Sequence, residues 1–215
     1  MLTFPEEFLL LAHDEKSGDF ADVGFSVMSA ALAGGALMDL ALRNRIDMDP
    51  RRLLLVDPTP TGEPVLDFCL TTLAAHPGQL RTDDWVDELA KFGETLRDLA
   101  LDRLLARGIL KREHKRFLWV FNSRIYPLID NRETVEVRRR ISNILFSDEI
   151  PDPRDNFLLA LADGSDLLSR VFNPVEVDHR RERIRAIIRL DLLGQAVCDY
   201  VRDTFNAPLI PPPGI

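Results

Sequence analysis

Three successive arginines, Arg138-Arg139-Arg140, are the residues of this chain best suited to chemistry, and the chemistry they offer is recognition of an anion. A guanidinium presents a planar fork that meets a phosphate or carboxylate through two parallel hydrogen bonds. On a helix, three consecutive side chains fan over roughly 200° of the circumference, because each residue turns it by about 100°. They cannot all face one small ligand. Arg132, Arg139 and Asn143 share a face by their spacing, while Glu133 and Glu136 stand close enough to neutralise part of the cluster. A second group, Arg43, Arg45, Arg51 and Arg52, offers the same two readings, anion site or solvated face. A third, Arg180, Arg181, Arg183, Arg185 and Arg189, is interleaved with Ile184, Ile187 and Ile188, which mark a core face and put those arginines on its wet side.

Other reactive residue types lack the spacing that catalysis needs. None of the four histidines, His13, His76, His114 and His179, has a second metal ligand at helical or loop spacing. Cys69 and Cys198 lie far apart in apolar sequence and read as buried free thiols. Gly34-Gly35 sits inside a helical pattern without the flanking glycines of a phosphate loop. The pairs Glu6-Glu7 and Asp83-Asp84 open helices, where the dipole accounts for them. No serine or cysteine occupies a nucleophile elbow. The expectation is a protein with no catalytic residues, no metal and no cofactor.

The elements that must position the arginines are helices. With 46% hydrophobic and 29% charged residues, the 215-residue chain has the balance of a globular protein large enough for a substantial core. Its apolar runs, such as Phe8 to Ala12, fall short of the ~20 residues of a membrane span, and no signal peptide is legible, so a cytoplasmic location is expected. Helices are predicted over Leu2 to His13, Val23 to Asn44, Leu66 to Ala75, Thr82 to Lys91, Thr95 to Arg107, Arg132 to Leu145, Asp155 to Ala162, Asp166 to Phe172 and His179 to Asn206. Ala30 to Leu37 is so rich in small side chains that it reads as the most buried segment. Two hairpins are predicted, one pairing Arg52 to Val56 with Val65 to Asp67, the other pairing Ile109 to His114 with Phe117 to Phe121 around Lys115. The fold class is therefore mainly α: a single compact helical domain over residues 1–207 with one or two short β-hairpins, followed by a Pro-rich tail over 208–215. A helix followed by a strand pair is also the outline of a winged-helix unit with Lys111, Arg112, Lys115 and Arg116 as a basic wing. The net charge of −8 opposes that nucleic-acid reading.

Five stretches in order resemble the Golgi phosphoprotein 3 family. They are Leu2-Thr3-Phe4-Pro5-Glu6-Glu7-Phe8-Leu9-Leu10-Leu11, Asp39-Leu40-Ala41-Leu42-Arg43-Asn44-Arg45-Ile46, Arg103-Leu104-Leu105-Ala106-Arg107-Gly108-Ile109-Leu110, Pro127-Leu128, and Leu158 to Ala162 with Ser165 to Phe172. The resemblance implies a non-enzymatic peripheral membrane adaptor that binds a phosphoinositide headgroup, phosphatidylinositol 4-phosphate, on the cytosolic face of Golgi membranes and holds the cytosolic tails of other proteins. The chain looks like a divergent, minimal member. Lipid-binding members use an exposed tryptophan before the second helix and an arginine within it, positions that align here with Gly24 and Ala33. The candidate substitutes are Phe25, with Phe20 nearby, and Arg138, Arg139 and Arg140. With that site lost, the same resemblance implies a lipid-independent helical scaffold for protein partners.

Overall fold

Thr3 caps the first helix. Its hydroxyl accepts the Glu6 amide at 3.4 Å, and the Glu6 carboxylate accepts the Thr3 amide at 2.6 Å. This reciprocal box satisfies two amides that have no partner within the helix. The computed structural model describes residues 1–49, 52–76, 81–117 and 121–207. In chain order its elements begin with α1 (Phe4–Ala12), the two-residue strands β1 (His13–Asp14) and β2 (Asp19–Phe20), and α2 (Phe25–Leu42). β3 (Ile46–Asp49), β4 (Arg52–Leu55), α3 (Pro64–Ala75), α4 (Thr82–Ala90) and α5 (Gly93–Ala106) follow. The remainder is β5 (Glu113–Phe117), β6 (Phe121–Ile125), α6 (Arg132–Phe146), α7 (Pro153–Gly164), α8 (Leu167–Val171), α9 (Pro174–His179), α10 (Arg181–Ile188) and α11 (Leu192–Asn206). The mainly helical fold class holds, with three two-stranded antiparallel sheets as its β component among the described residues.

α2 is the hub. Every residue from Ser29 to Leu40 is buried, and the helix packs against α1, α3, α4, α5, α7 and α11. Its small side chains make this possible. A Cβ on Gly34 would fall 2.5 Å from Val197 Cγ1, so glycine sets how closely α11 approaches. By length and composition α2 would pass for a membrane span, but 78% of it is buried inside the protein, which makes it a core helix. The core extends without interruption through Phe4, Phe8, Trp85, Leu104, Ile141, Phe157 and Val201.

α2 and α5 end alike. Asn44 (φ 55°) and Gly108 (φ 68°) take left-handed conformations. The next amides, Arg45 and Ile109, then close back on Leu40 and Leu104 at 2.9 and 3.0 Å. Both are Schellman stops, which release the chain toward a hairpin.

Three expectations need correction. The first hairpin pairs Ile46–Asp49 with Arg52–Leu55, in the register Ile46↔Leu55 and Asp49↔Arg52, and does not use Val65 to Asp67. Ile46 and Met48 are buried while Asp47 and Asp49 are exposed, the period-2 signature of a strand, whereas Pro64 opens α3 and draws Val65 into a helix. The second hairpin pairs Glu113–Phe117 with Phe121–Ile125. Ile109 and Leu110 are used in closing α5, and residues 118–120 between the two strands lie outside the described residues. The expected helix from His179 to Asn206 is divided into two, α10 and α11, with His179 closing α9. α10 closes with short turns, Leu190 N–H on the Ile187 carbonyl and Asp191 N–H on that of Ile188, before α11 restarts. The tail at 208–215 and Arg51 also lie outside the described residues, as do the side chains of Lys115 and Arg116.

Candidate anion-binding site

The chain from His13 to Gly24 forms a strap that leaves α1, turns through the β1–β2 hairpin and enters α2. It is tied down at three points. His13 Nε2 lies 2.8 Å from the Tyr126 carbonyl, the Tyr126 amide donates to the Gly18 carbonyl at 2.5 Å, and Arg138 donates to the His13 carbonyl. Gly18 has φ 71° and lies against Pro127, so the turn needs a residue that tolerates the left-handed region and close backbone contact.

A cavity opens on each side of the strap. One, of about 400 Å³, lies between the strap, the start of α2 and α5, and is lined by Phe20, Gly24, Phe25, Met28, Ser29 and Arg97, with Asp19 and Asp22 at its edge. The Arg97 guanidinium stacks over the Phe20 ring at 5.2 Å, and no carboxylate among the described residues pairs with it. Phe25 is 63% exposed at the mouth. The other cavity, of about 710 Å³, lies between the strap, α6 and α8, and includes His13, Glu15, Lys16, Phe20, Arg138 and Arg170 in its lining.

The structure separates the three predicted arginines. Arg138 lines the larger cavity and pairs with Glu15 at 3.2 Å. Arg139 points elsewhere, forming an exposed pair with Glu136 at 2.8 Å. Arg140 turns inward to Glu7 at 2.6 Å and Asp155 at 2.5 Å, tying α6 to α1 and α7. Its fork is committed to the fold. Phe25 sits across the strap from Arg138, and Gly24 and Phe25 both line the smaller cavity. Arg181 and Arg183, expected on a wet face, are half-buried. Arg181 pairs with Asp163 at 2.5 Å and Arg183 donates to the Glu149 carbonyl at 2.7 Å. Among the described residues, no group of histidine, cysteine or acidic side chains is placed to hold a metal ion.

At the start of α1, Arg154 pairs with Glu7 at 3.0 Å and Asp39 at 3.1 Å and stacks over Phe4 at 4.1 Å. Burial works against its charge, but the two carboxylates outweigh that and hold its pKa above the usual value. Burial raises the pKa of Asp39, although Arg154 and the Phe4 amide, 2.5 Å away, pull it back. Sequence reasoning missed this network and Arg97. The signal for the first was available, since Asp39 and Glu6-Glu7 are carboxylates set in apolar helices. Nothing in the sequence pairs Arg97 with Phe20.

Burial lowers the pKa of His13 and outweighs the hydrogen bond to the Tyr126 carbonyl, which raises it; the nearby Arg138 lowers it further, against Glu15 and Asp14. The folded state therefore disfavours the imidazolium that the unfolded chain carries below its ordinary pKa of about 6.5. Stability is full above that pH and is lost as pH falls through it toward the depressed folded value. Thermal unfolding should show a loss of Tm between pH 7.5 and 5.5 that His13→Gln flattens. An unchanged slope in that variant would assign the loss to other groups.

A family model described as Golgi phosphoprotein 3 (GPP34) matches residues 4–204. The chain is similar to a vacuolar protein sorting-associated protein 74 of Eremothecium gossypii, 28% identical over 216 residues covering 83% of this chain. It spans only 64% of that relative's length. It is also similar to a VPS74-like protein of Dictyostelium discoideum, 23% identical over 87% of this chain and 82% of the relative.

Proposed function

The chain belongs to the Golgi phosphoprotein 3 (GPP34) family, and on that footing we propose that it is a non-enzymatic adaptor that docks peripherally on the cytosolic face of a Golgi-type membrane. Its ligand in this reading is a phosphoinositide headgroup, phosphatidylinositol 4-phosphate by family resemblance, held at the cavity between the strap and α5. The observation that carries the reading is the meeting at one cavity of an exposed aromatic, Phe25, and a guanidinium, Arg97, that has no ion pair among the described residues. An apolar ring beside a cation matches the boundary between acyl chains and phosphates. Phe25 follows Gly24, the position where the family carries its membrane-facing tryptophan, so it supplies the aromatic from one residue further on. Arg138 and Arg139 add attraction to an anionic surface, and Arg140 contributes by tying α6 to α1 and α7. With a net charge of −8, this attraction is local and should fade with salt.

The test is co-sedimentation with phosphatidylcholine vesicles, with and without phosphatidylinositol 4-phosphate. Binding should depend on the phosphoinositide, and Arg97→Glu should abolish it. Phe25→Ala should weaken it about 10- to 100-fold, the equivalent of ~1.5–3 kcal/mol of lost aromatic burial. Arg139→Glu, away from both cavities, should matter least. Binding that ignores the phosphoinositide and survives Arg97→Glu would leave the scaffold reading, in which the chain holds protein tails without lipid.

A further inference from the structure

Two residues that line the larger cavity each carry a buried polar atom with no hydrogen-bond partner among the described residues. Arg138 Nε is a buried donor without an acceptor, and His13 Nδ1 is a buried acceptor without a donor. His13 is 1% exposed, and its Nε2–H is directed to the Tyr126 carbonyl, which leaves Nδ1 as the bare nitrogen. Each lacks the bonds it would make to water, and Arg140 Nε and Arg154 Nε are in the same position elsewhere in the fold, so it is the bare His13 Nδ1 that singles this space out. Both belong to residues that line one space, and that space carries two further cations. Lys16 is exposed and has no carboxylate partner among the described residues, and Arg170 is held only loosely by Asp166 at 3.7 Å. Three carboxylates share the lining with these cations. Asp14 accepts the Lys16 amide at 2.8 Å, Asp22 accepts the Gly24 amide at 3.0 Å, and Glu15 lies over Arg138.

We propose that this cavity binds a phosphate monoester in its monoprotonated form, with Arg138, Lys16 and Arg170 taking the oxyanions and His13 Nδ1 accepting the P–OH. The complementarity is specific. A ligand must accept from Arg138 and donate to His13, and a protonated phosphate does both, whereas sulfate has no hydroxyl to donate at neutral pH. Glu15 stands where one oxyanion would sit, on Arg138 Nη1 at 3.2 Å, with its side chain 42% exposed. A half-exposed pair of this kind is weak enough for a multiply charged ligand to displace. Glu15 therefore acts as an internal competitor that sets the affinity. This site lies across the strap from Arg97 and does not depend on the lipid site proposed above.

The test titrates the full chain with sodium phosphate or sodium sulfate at pH 6.5 and constant ionic strength, reading Tm. Phosphate should raise Tm at concentrations where sulfate does not, and Lys16→Gln/Arg170→Gln, both at exposed positions, should flatten that response. Glu15→Gln should move the phosphate curve to about two- to fivefold lower concentration, the factor set by losing a half-exposed ion pair. Phe25→Ala and Arg97→Glu should leave it unchanged, so this site can fail while the lipid site stands, and the reverse. Equal responses to the two anions, or a phosphate response that survives the double glutamine variant, would overturn the proposal. Glycerol phosphate and phosphatidylcholine vesicles carrying phosphatidic acid then separate the two sources of the group. Loss in the double variant with glycerol phosphate alone assigns a soluble ligand, and loss with vesicles assigns a lipid.

Discussion

Arg154→Met should cost about 3–5 kcal/mol of folding free energy, the largest loss expected from any single change to a charged residue here. Arg154 neutralises two carboxylates at once, Glu7 and Asp39, whose side chains are 6% and 3% exposed. It also donates to the Leu2 carbonyl at 2.7 Å and covers the Phe4 ring. Methionine would keep much of the contact with Phe4 while leaving two buried acids without that cation. The Asp39 pKa, already raised by burial, would rise further, so part of the loss should return on acidification as Asp39 protonates in the folded state. Urea unfolding at pH 7 reads the loss. The triple variant Arg154→Met/Asp39→Asn/Glu7→Gln should recover part of it, because neutral side chains in those positions need no counter-ion. Full loss with no recovery would mean that Arg154 acts through packing on Phe4 and not through charge.

How much of this was legible in the sequence follows from how far each interaction reaches along the chain. The Thr3–Glu6 box closes within one turn, and the Asn44 and Gly108 stops within six residues, so residue type alone announces them. The small-residue run of α2 likewise signals close packing without saying against what. The first hairpin was missed because a Pro-rich turn outweighed the alternation of Ile46-Asp47-Met48-Asp49. Arg140 exposes the deeper limit. Its helix was predicted, and so was the impossibility of three neighbouring arginines sharing one ligand. Its partner Glu7, however, lies 133 residues away and is brought to it only by the packing of α1 on α6. The candidate cavities are of the same kind. Phe20 on the strap and Arg97 on α5 meet because α2 carries both neighbours, a relation that no local spacing encodes.

Gly93→Ala should damage that relation more than any other single methyl group placed near the candidate lipid site. A Cβ on Gly93 would lie 1.9 Å from Ser29 Oγ, 2.5 Å from its Cβ and 3.2 Å from its Cα, so α5 must move away from α2. Overpacking of this type costs about 1–3 kcal/mol. The shift acts where Phe25 and Arg97 face each other, because the Ser29 hydroxyl donates to the Phe25 carbonyl at 2.8 Å and Gly93 lies one turn before Arg97. Ser29→Gly removes the obstructing atoms at its own cost of about 1 kcal/mol for a helical glycine. In the double variant the two losses should fall short of their sum by roughly 1 kcal/mol or more, the mark of residues in direct contact. Phosphoinositide-dependent vesicle binding should drop in Gly93→Ala and return in the double variant in step with the Tm. Binding that stays at the wild-type level in a destabilised Gly93→Ala would separate lipid recognition from the α2–α5 contact and move it away from Phe25 and Arg97.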